Sequence, residues 1–154
     1  MGALHDRDFY AWTKEQVELL RRAGDSGSNL ALDWGGLVEE IEGLGATEKR
    51  ELTSNLARVL ERLGKLAWSR ASDPPRVWIL SVEEHRARAR AVIADSPSLK
   101  PSVPVRLETA WQIALPRIER SLGALPDGRP LPETSPFTAE QVLDPAWYPA
   151  APGG

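Results

Sequence analysis

The chain has 154 residues, with 19 basic and 22 acidic side chains and a net charge of −3. Hydrophobic residues make up 42 % and charged residues 27 %, the composition of a soluble globular chain with material for one core. The absence of cysteine excludes disulfides, thiol chemistry and thiolate metal sites; no apolar run reaches membrane-spanning length, and the polar stretch Met1–Tyr10 is unlike a secretory signal, so a cytoplasmic location is expected.

In chain order the sequence reads as helices separated by punctuation, with no strand-like alternation. Thr13-Lys14-Glu15-Gln16 has the form of a capping box and predicts a first helix running to Gly24. Asp33 is a suitable N-cap for a second helix, in which Trp34, Leu37, Ile41 and Leu44 form a stripe with seven-residue spacing and Gly45 is the expected stop. A third helix is predicted from Thr47, with Leu52, Leu56, Val59, Leu63 and Leu66 on one face. Ser72-Asp73-Pro74-Pro75 breaks it and starts a fourth, which carries Trp78, Val82, Ala89 and Val92 to about Asp95. After a loop at Ser96-Pro97-Ser98, Pro104 opens a fifth helix with the stripe Leu107, Trp111, Leu115, Ile118 and Leu122. From Gly123 the chain holds 7 of its 13 prolines, and Thr138 with Gln141 predicts one short capped helix in an otherwise extended tail.

Helices with one apolar stripe each can bury those stripes only against one another. The fold expected is therefore all-α: a bundle of about five helices over residues 1–122, with an extended Pro-rich tail, 123–154, docking on it. Phe137, Leu143 and Trp147 give that tail apolar anchors.

Charge is segmented, with net values of −5 over residues 1–54, +5 over 55–122 and −3 over 123–154. Equal and opposite blocks suit an acidic segment packing on a basic one. Arg86, Arg88 and Arg90 point in different directions around a helix and are diluted by Glu83 and Glu84, so a nucleic-acid partner is not expected.

Few residues propose chemistry. Glu39, Glu40 and Glu42 do not converge on one point of their helix; Glu40 alone borders the apolar stripe. His85 sits inside the fourth-helix stripe, where an imidazole needs partners for its nitrogens and could serve as a base or ligand. No Glu-x-x-His pair, nucleophile elbow or phosphate-cradling glycine motif is present, so no catalytic residue, metal site or cofactor is expected. A binding site in the bundle would draw on Tyr10, Glu40, His85 and Arg86. Trp68 lies roughly 140° from the centre of its helix stripe and so, with Trp147, marks a possible interaction or tail-packing surface.

Several segments together resemble a bacterial family catalogued as domain of unknown function twenty-nine. They are Asp8-Phe9-Tyr10 with Trp12, Leu32-Asp33-Trp34 with Leu37, Glu39-Glu40-Ile41-Glu42 with Leu44-Gly45, Glu84 with Arg86, Pro97-Ser98-Leu99, and in the tail Pro136-Phe137-Thr138, Glu140-Gln141, Leu143-Asp144 and Pro149. The resemblance implies an all-helical bacterial protein and supplies no activity. The family tends to have glutamine where this chain has His85, and often cysteine where it has Ser135, which argues against a family-wide role for either the imidazole or a thiol. The reading carried forward is a non-enzymatic helical module for protein interaction or self-association, with a protein partner or a homodimer and no membrane. The alternative is a small-molecule or metal-binding bundle with the Glu/His/Arg site.

Overall fold

The computed structural model describes residues 3–70 and 74–150. The described residues form six α-helices and no strand: α1 (Ala3–Arg7), α2 (Phe9–Asp25), α3 (Trp34–Trp68), α4 (Arg76–Asp95), α5 (Val103–Leu122) and α6 (Ala139–Leu143), with a 3-10 turn over Pro97–Ser102. The protein is all-α. None of the described helices is long and apolar enough to cross a membrane. The chain divides into two compact units: one holds the residues up to Glu51 with Val92–Pro101, the other Leu52–Ala91 with the chain from Ser102 onward. Helices α3 and α4 therefore contribute a segment to each.

In the first unit, α2 begins four residues before the Thr13 box. Asp8 is the N-cap, and its carboxylate accepts from the Ala11 amide at 3.0 Å. The same carboxylate accepts from the amide and hydroxyl of Ser98, both at 2.8 Å. Ser96 is fully buried; its hydroxyl accepts from the Tyr10 amide at 3.0 Å and donates to Glu48 at 2.6 Å. Two of the orphan N–H groups of α2 are thus satisfied, one locally and one by the turn after α4. That turn, expected as a loop, is the 3-10 segment. With Asp8 as cap, Thr13 falls inside the helix, and its hydroxyl donates to the Tyr10 carbonyl at 2.6 Å.

Gly45 does not end a helix. The second and third predicted helices are one helix of 35 residues, α3, capped by Asp33, which accepts from Gly36 N at 3.0 Å. Gly45 is a close-approach residue instead: a Cβ there would stand 2.7 Å from Thr13 Oγ1. The two stripes predicted for this stretch differ in exposure. The centre of the Trp34, Leu37, Ile41 and Leu44 stripe lies roughly 60° around the helix from that of Leu52, Leu56, Val59, Leu60 and Leu63. The later set is fully buried, whereas Leu37 and Leu44 remain 38 % and 46 % exposed.

The second unit has the larger core. Its members are Leu52, Leu56, Val59, Leu60 and Leu63 of α3, Val82 and Ala89 of α4, and Leu107, Ala110, Trp111, Ala114 and Ile118 of α5. Gly64 brings α3 close to α5, since a Cβ there would meet Ile118 Cδ1 at 2.6 Å. Pro104 lies in the first turn of α5, as its missing N–H predicts. The proline-rich segment after α5 adds Leu131, Phe137 and Val142 to the buried set. Trp111 Nε1 donates to the Pro132 carbonyl at 2.9 Å, and Gln112 to that of Glu133 at 2.8 Å. In α6 the reciprocal box is complete: Thr138 Oγ1 accepts from Gln141 N, and Gln141 Oε1 from Thr138 N. Of the predicted helix break, Ser72 and Asp73 lie outside the described residues.

Candidate functional site

A groove of about 400 Å³ runs between α2 and α3 in the first unit. Its α2 wall is Tyr10, Thr13, Lys14, Val17, Glu18 and Arg21, and its α3 wall is Glu42, Gly45, Ala46 and Lys49. Both sets follow three- and four-residue steps, so each is one face of its helix. The glycine at 45 lets the two backbones approach, and Thr13 fills the space a Cβ would take.

Tyr10 forms the floor, only 8 % exposed. The ammonium groups of Lys14 and Lys49 lie 5.3 and 5.2 Å from its ring centroid, within cation–π range. Burial pushes the phenol pKa up, but hydrogen bonding and charge from Lys49 and Lys14 outweigh it, and the net direction is down from the ordinary value of 10.0. The carboxylates of the groove are each engaged by an arginine: Glu42 by Arg21 across the two helices, and Glu18 by Arg22 at 3.0 Å along α2.

Of the residues singled out in the sequence, Tyr10 lies at this groove and Glu40 does not. Glu39 and Glu40 are both exposed; the acidic residue that faces α2 is Glu42. The misplacement follows from the stripe: the face α3 turns to α2 is centred nearer Gly45 and Lys49 than Ile41. Lys14, Lys49 and Arg21 were not singled out, and Glu42 was weighed only as one of three carboxylates that do not converge. Tyr10 and Lys14, four residues apart, carried a signal on a helix starting at Phe9, but the arrival of Lys49 depends on tertiary packing.

His85 and Arg86 belong to the second unit. His85 is half-buried, and its Nδ1 lies 2.9 Å from Asn55 Oδ1, the arrangement of a donated hydrogen bond. Burial lowers its pKa from 6.5; Glu84 opposes, while Arg88, Arg58 and Arg62 reinforce the fall. Arg86 is 2 % exposed and donates to three carbonyl oxygens, those of Val142 (2.8 Å), Gln141 (3.3 Å) and Trp147 (3.1 Å). Arg90 donates to Leu143 O at 2.9 Å. The two arginines therefore meet the unsatisfied carbonyls at the end of α6, where a positive charge also complements the helix dipole. Tyr148 lies beneath the Arg86 guanidinium at 5.3 Å. Arg88 pairs with Glu84 at 2.7 Å, so the arginines of α4 do not form a common stripe.

Trp68 and Trp147 are half-buried. The Trp68 ring stacks on Phe137 at 6.0 Å and meets Trp111 edge-on at 6.2 Å; Trp147 meets Phe137 at 5.8 Å. Both rings contact the tail segment. Among the described residues no group of three or more His, Asp or Glu side chains is placed to hold a metal ion.

Residues 4–148 match the family described as Domain of unknown function DUF29. The chain belongs to this family. The DUF29 chain matches none of the curated proteins. Among solved structures it is similar to an alpha-helical protein of unknown function from Rhodospirillum rubrum, with a TM-score of 0.74 and 23 % identity over 93 % of this chain and 90 % of that one. At that identity the likeness speaks for the fold shared by the two proteins.

Proposed function

We propose that this DUF29 protein is a non-enzymatic self-association module, in which the first half of α3 pairs with the same face of a second copy. The observation that carries the reading is the contrast within one helix. Leu52, Leu56, Val59 and Leu63 of the second apolar stripe are fully buried and Leu66 is half-buried, while the first stripe leaves Leu37 and Leu44 exposed. Leu19, Leu30 and Leu32, 48 %, 66 % and 48 % exposed, belong to the same unit. Trp34, Leu37, Ile41 and Leu44 have the three- and four-residue alternation of a coiled-coil seam. A helix with the same spacing suits such a seam, and a second copy brings one by symmetry. Glu40 is exposed and borders the stripe, and such a pair would bring one from each copy, so added salt should screen their repulsion and strengthen the pairing. In this reading the tail, 123–154, acts as a strap docked on the helices that precede it, held by Arg86, Arg90, Trp68 and Trp147.

Light scattering after size-exclusion chromatography tests the proposal. A dimer is expected, dissociated by Leu37→Glu with Leu44→Glu while the circular dichroism of the chain is unchanged. A monomer at every concentration up to about 0.5 mM, or a dimer indifferent to the double substitution, overturns it.

A further inference from the structure

We propose that the pocket between the end of α3 and the loop after α5 binds a small carboxylic acid with an apolar or aromatic body, its carboxylate held by Arg70 and its body lying against the Trp68 indole. The pocket has a volume of about 340 Å³, within the range of small-ligand sites. Three observations point to this chemistry. First, its lining holds one cationic side chain, Arg70, and no acidic one among the described residues. Arg70 donates through Nη2 to the Pro126 carbonyl at 3.1 Å and has no carboxylate partner among the described residues. A guanidinium has five N–H groups, so it can still present a planar fork to a carboxylate, and its single charge matches a monoanion. Second, the Trp68 indole N–H and the Ser121 hydroxyl both belong to side chains that line the pocket, and neither has a hydrogen-bond partner among the described residues. Further donors are therefore available to an acceptor-rich ligand. Third, Leu122 and Leu125 add apolar surface to that of the indole. A charged fork beside an apolar wall suits a ligand that is anionic at one end and apolar at the other.

The walls are fixed before any ligand arrives. A Cβ at Gly64 would stand 3.3 Å from Trp68 Cζ3, so the ring rests on α3 itself. Phe137 stacks on it at 6.0 Å, and Trp111 meets it edge-on at 6.2 Å. The loop wall is closed by its own main chain: the Leu125 amide donates to the Arg129 carbonyl at 2.9 Å, and the Gly128 amide to that of Leu125 at 2.8 Å. Gly128 supplies the φ of 85° that this turn requires. Asp127, the acidic residue of the loop, pairs with Arg129 at 2.5 Å and not with Arg70. The pocket lies within the second unit, and the proposal does not depend on self-association.

The test uses the full chain with phenylacetate, and with phenylacetamide as its uncharged analogue, at constant ionic strength set by sodium chloride. Calorimetric titration is expected to give one phenylacetate site per chain, with phenylacetamide about 10-fold weaker or more, the loss of a charge-assisted contact. Arg70→Gln should weaken phenylacetate by a similar factor, and Arg70→Lys should keep only part of the affinity, since an ammonium lacks the fork. Arg120→Gln, on α5 but outside the lining, should leave binding unchanged. A second measurement needs no arginine variant. The Nε1–H resonance of Trp68, assigned by its loss in Trp68→Phe, should shift as phenylacetate is added to the parent chain, while that of Trp12 in the first unit stays in place. Four results would overturn the proposal: no binding of phenylacetate at about 20 mM, far weaker than ordinary ligand affinities; equal affinity for the amide; binding indifferent to Arg70→Gln; or a Trp68 resonance that does not move.

Discussion

The guanidinium of Arg86 donates through Nε to the carbonyl oxygen of Val142 at 2.8 Å, joining the interior of α4 to the last turn of α6 across 56 residues of sequence. Two further carbonyls, of Gln141 and Trp147, accept from the same side chain. A five-residue helix is too short to persist without tertiary support, and Arg86 is a large part of what holds α6 in place. Arg86→Ala should remove about 3 kcal/mol of stability, because it leaves buried carbonyls without donors. Arg86→Lys should recover only part of the loss, since an ammonium cannot reproduce the planar fork. Urea unfolding followed by tryptophan fluorescence would measure both, and a variant as stable as the parent chain would contradict the assignment.

Gly45 and Thr13 give a prediction in which the sign reverses with background. Alanine at 45 gains about 1 kcal/mol in helix propensity. It also places a Cβ 2.7 Å from a hydroxyl held by the Tyr10 carbonyl. Overpacking of this kind costs about 1–3 kcal/mol, so Gly45→Ala should be neutral to destabilising in the parent chain. In a Thr13→Ala chain the clashing oxygen is gone, and the same substitution should stabilise. A thermal-denaturation cycle with four chains reads the coupling; strictly additive effects would show that the two residues do not meet.

The pH dependence of stability should carry a signature of His85. Its folded pKa lies below the ordinary 6.5, chiefly through burial. The native state therefore favours the neutral ring, and acidification protonates the unfolded chain first. The contribution of His85 is complete above about pH 7 and is lost as the pH falls through 6.5 toward the lower folded value. His85→Gln can keep a hydrogen bond to Asn55 without titrating. Its urea midpoint should consequently fall less than that of the parent chain between about pH 7 and 5, and parallel curves would refute the idea.

Glu61 distinguishes a structural carboxylate from solvated ones. It is 6 % exposed and lies 3.3 Å from Arg58, 3.5 Å from Lys65 and 4.0 Å from Arg117, with Lys65 itself 8 % exposed. Glu61→Ala would leave buried positive charge uncompensated and should cost about 3 kcal/mol. Glu39→Ala and Glu40→Ala, at exposed positions, should change stability by less than about 0.5 kcal/mol. Comparable effects at all three would mean that burial of the Glu61 network contributes nothing.

Much of the local structure was legible in the sequence because it rests on local chemistry. The Asp33 cap, the proline opening α5 and the Thr138–Gln141 box involve groups within a few residues of one another, and the structure has each of them. The all-α class followed from apolar periodicity, which needs no partner to be read. Two local signals misled for a shared reason. Thr13 looked like a cap and Gly45 like a stop, yet the two residues meet where α2 packs on α3. A glycine that ends a helix and one that admits a neighbouring helix look alike until the neighbour is in place.

Tertiary structure alone decided the site and the fate of the stripes. Lys49 approaches Tyr10 from 39 positions away, so nothing in the spacing of either segment announced the groove. The first α3 stripe had the pattern of a buried face, but helical periodicity does not say which turns of a helix other elements cover. Burial went to Leu52, Leu56, Val59, Leu60 and Leu63, and Leu37 and Leu44 stayed exposed. The sequence determined which segments are helical and where their caps lie, through interactions that close within one or two turns. Only packing, which must satisfy every helix at once, determined which charges meet and which apolar residues remain uncovered.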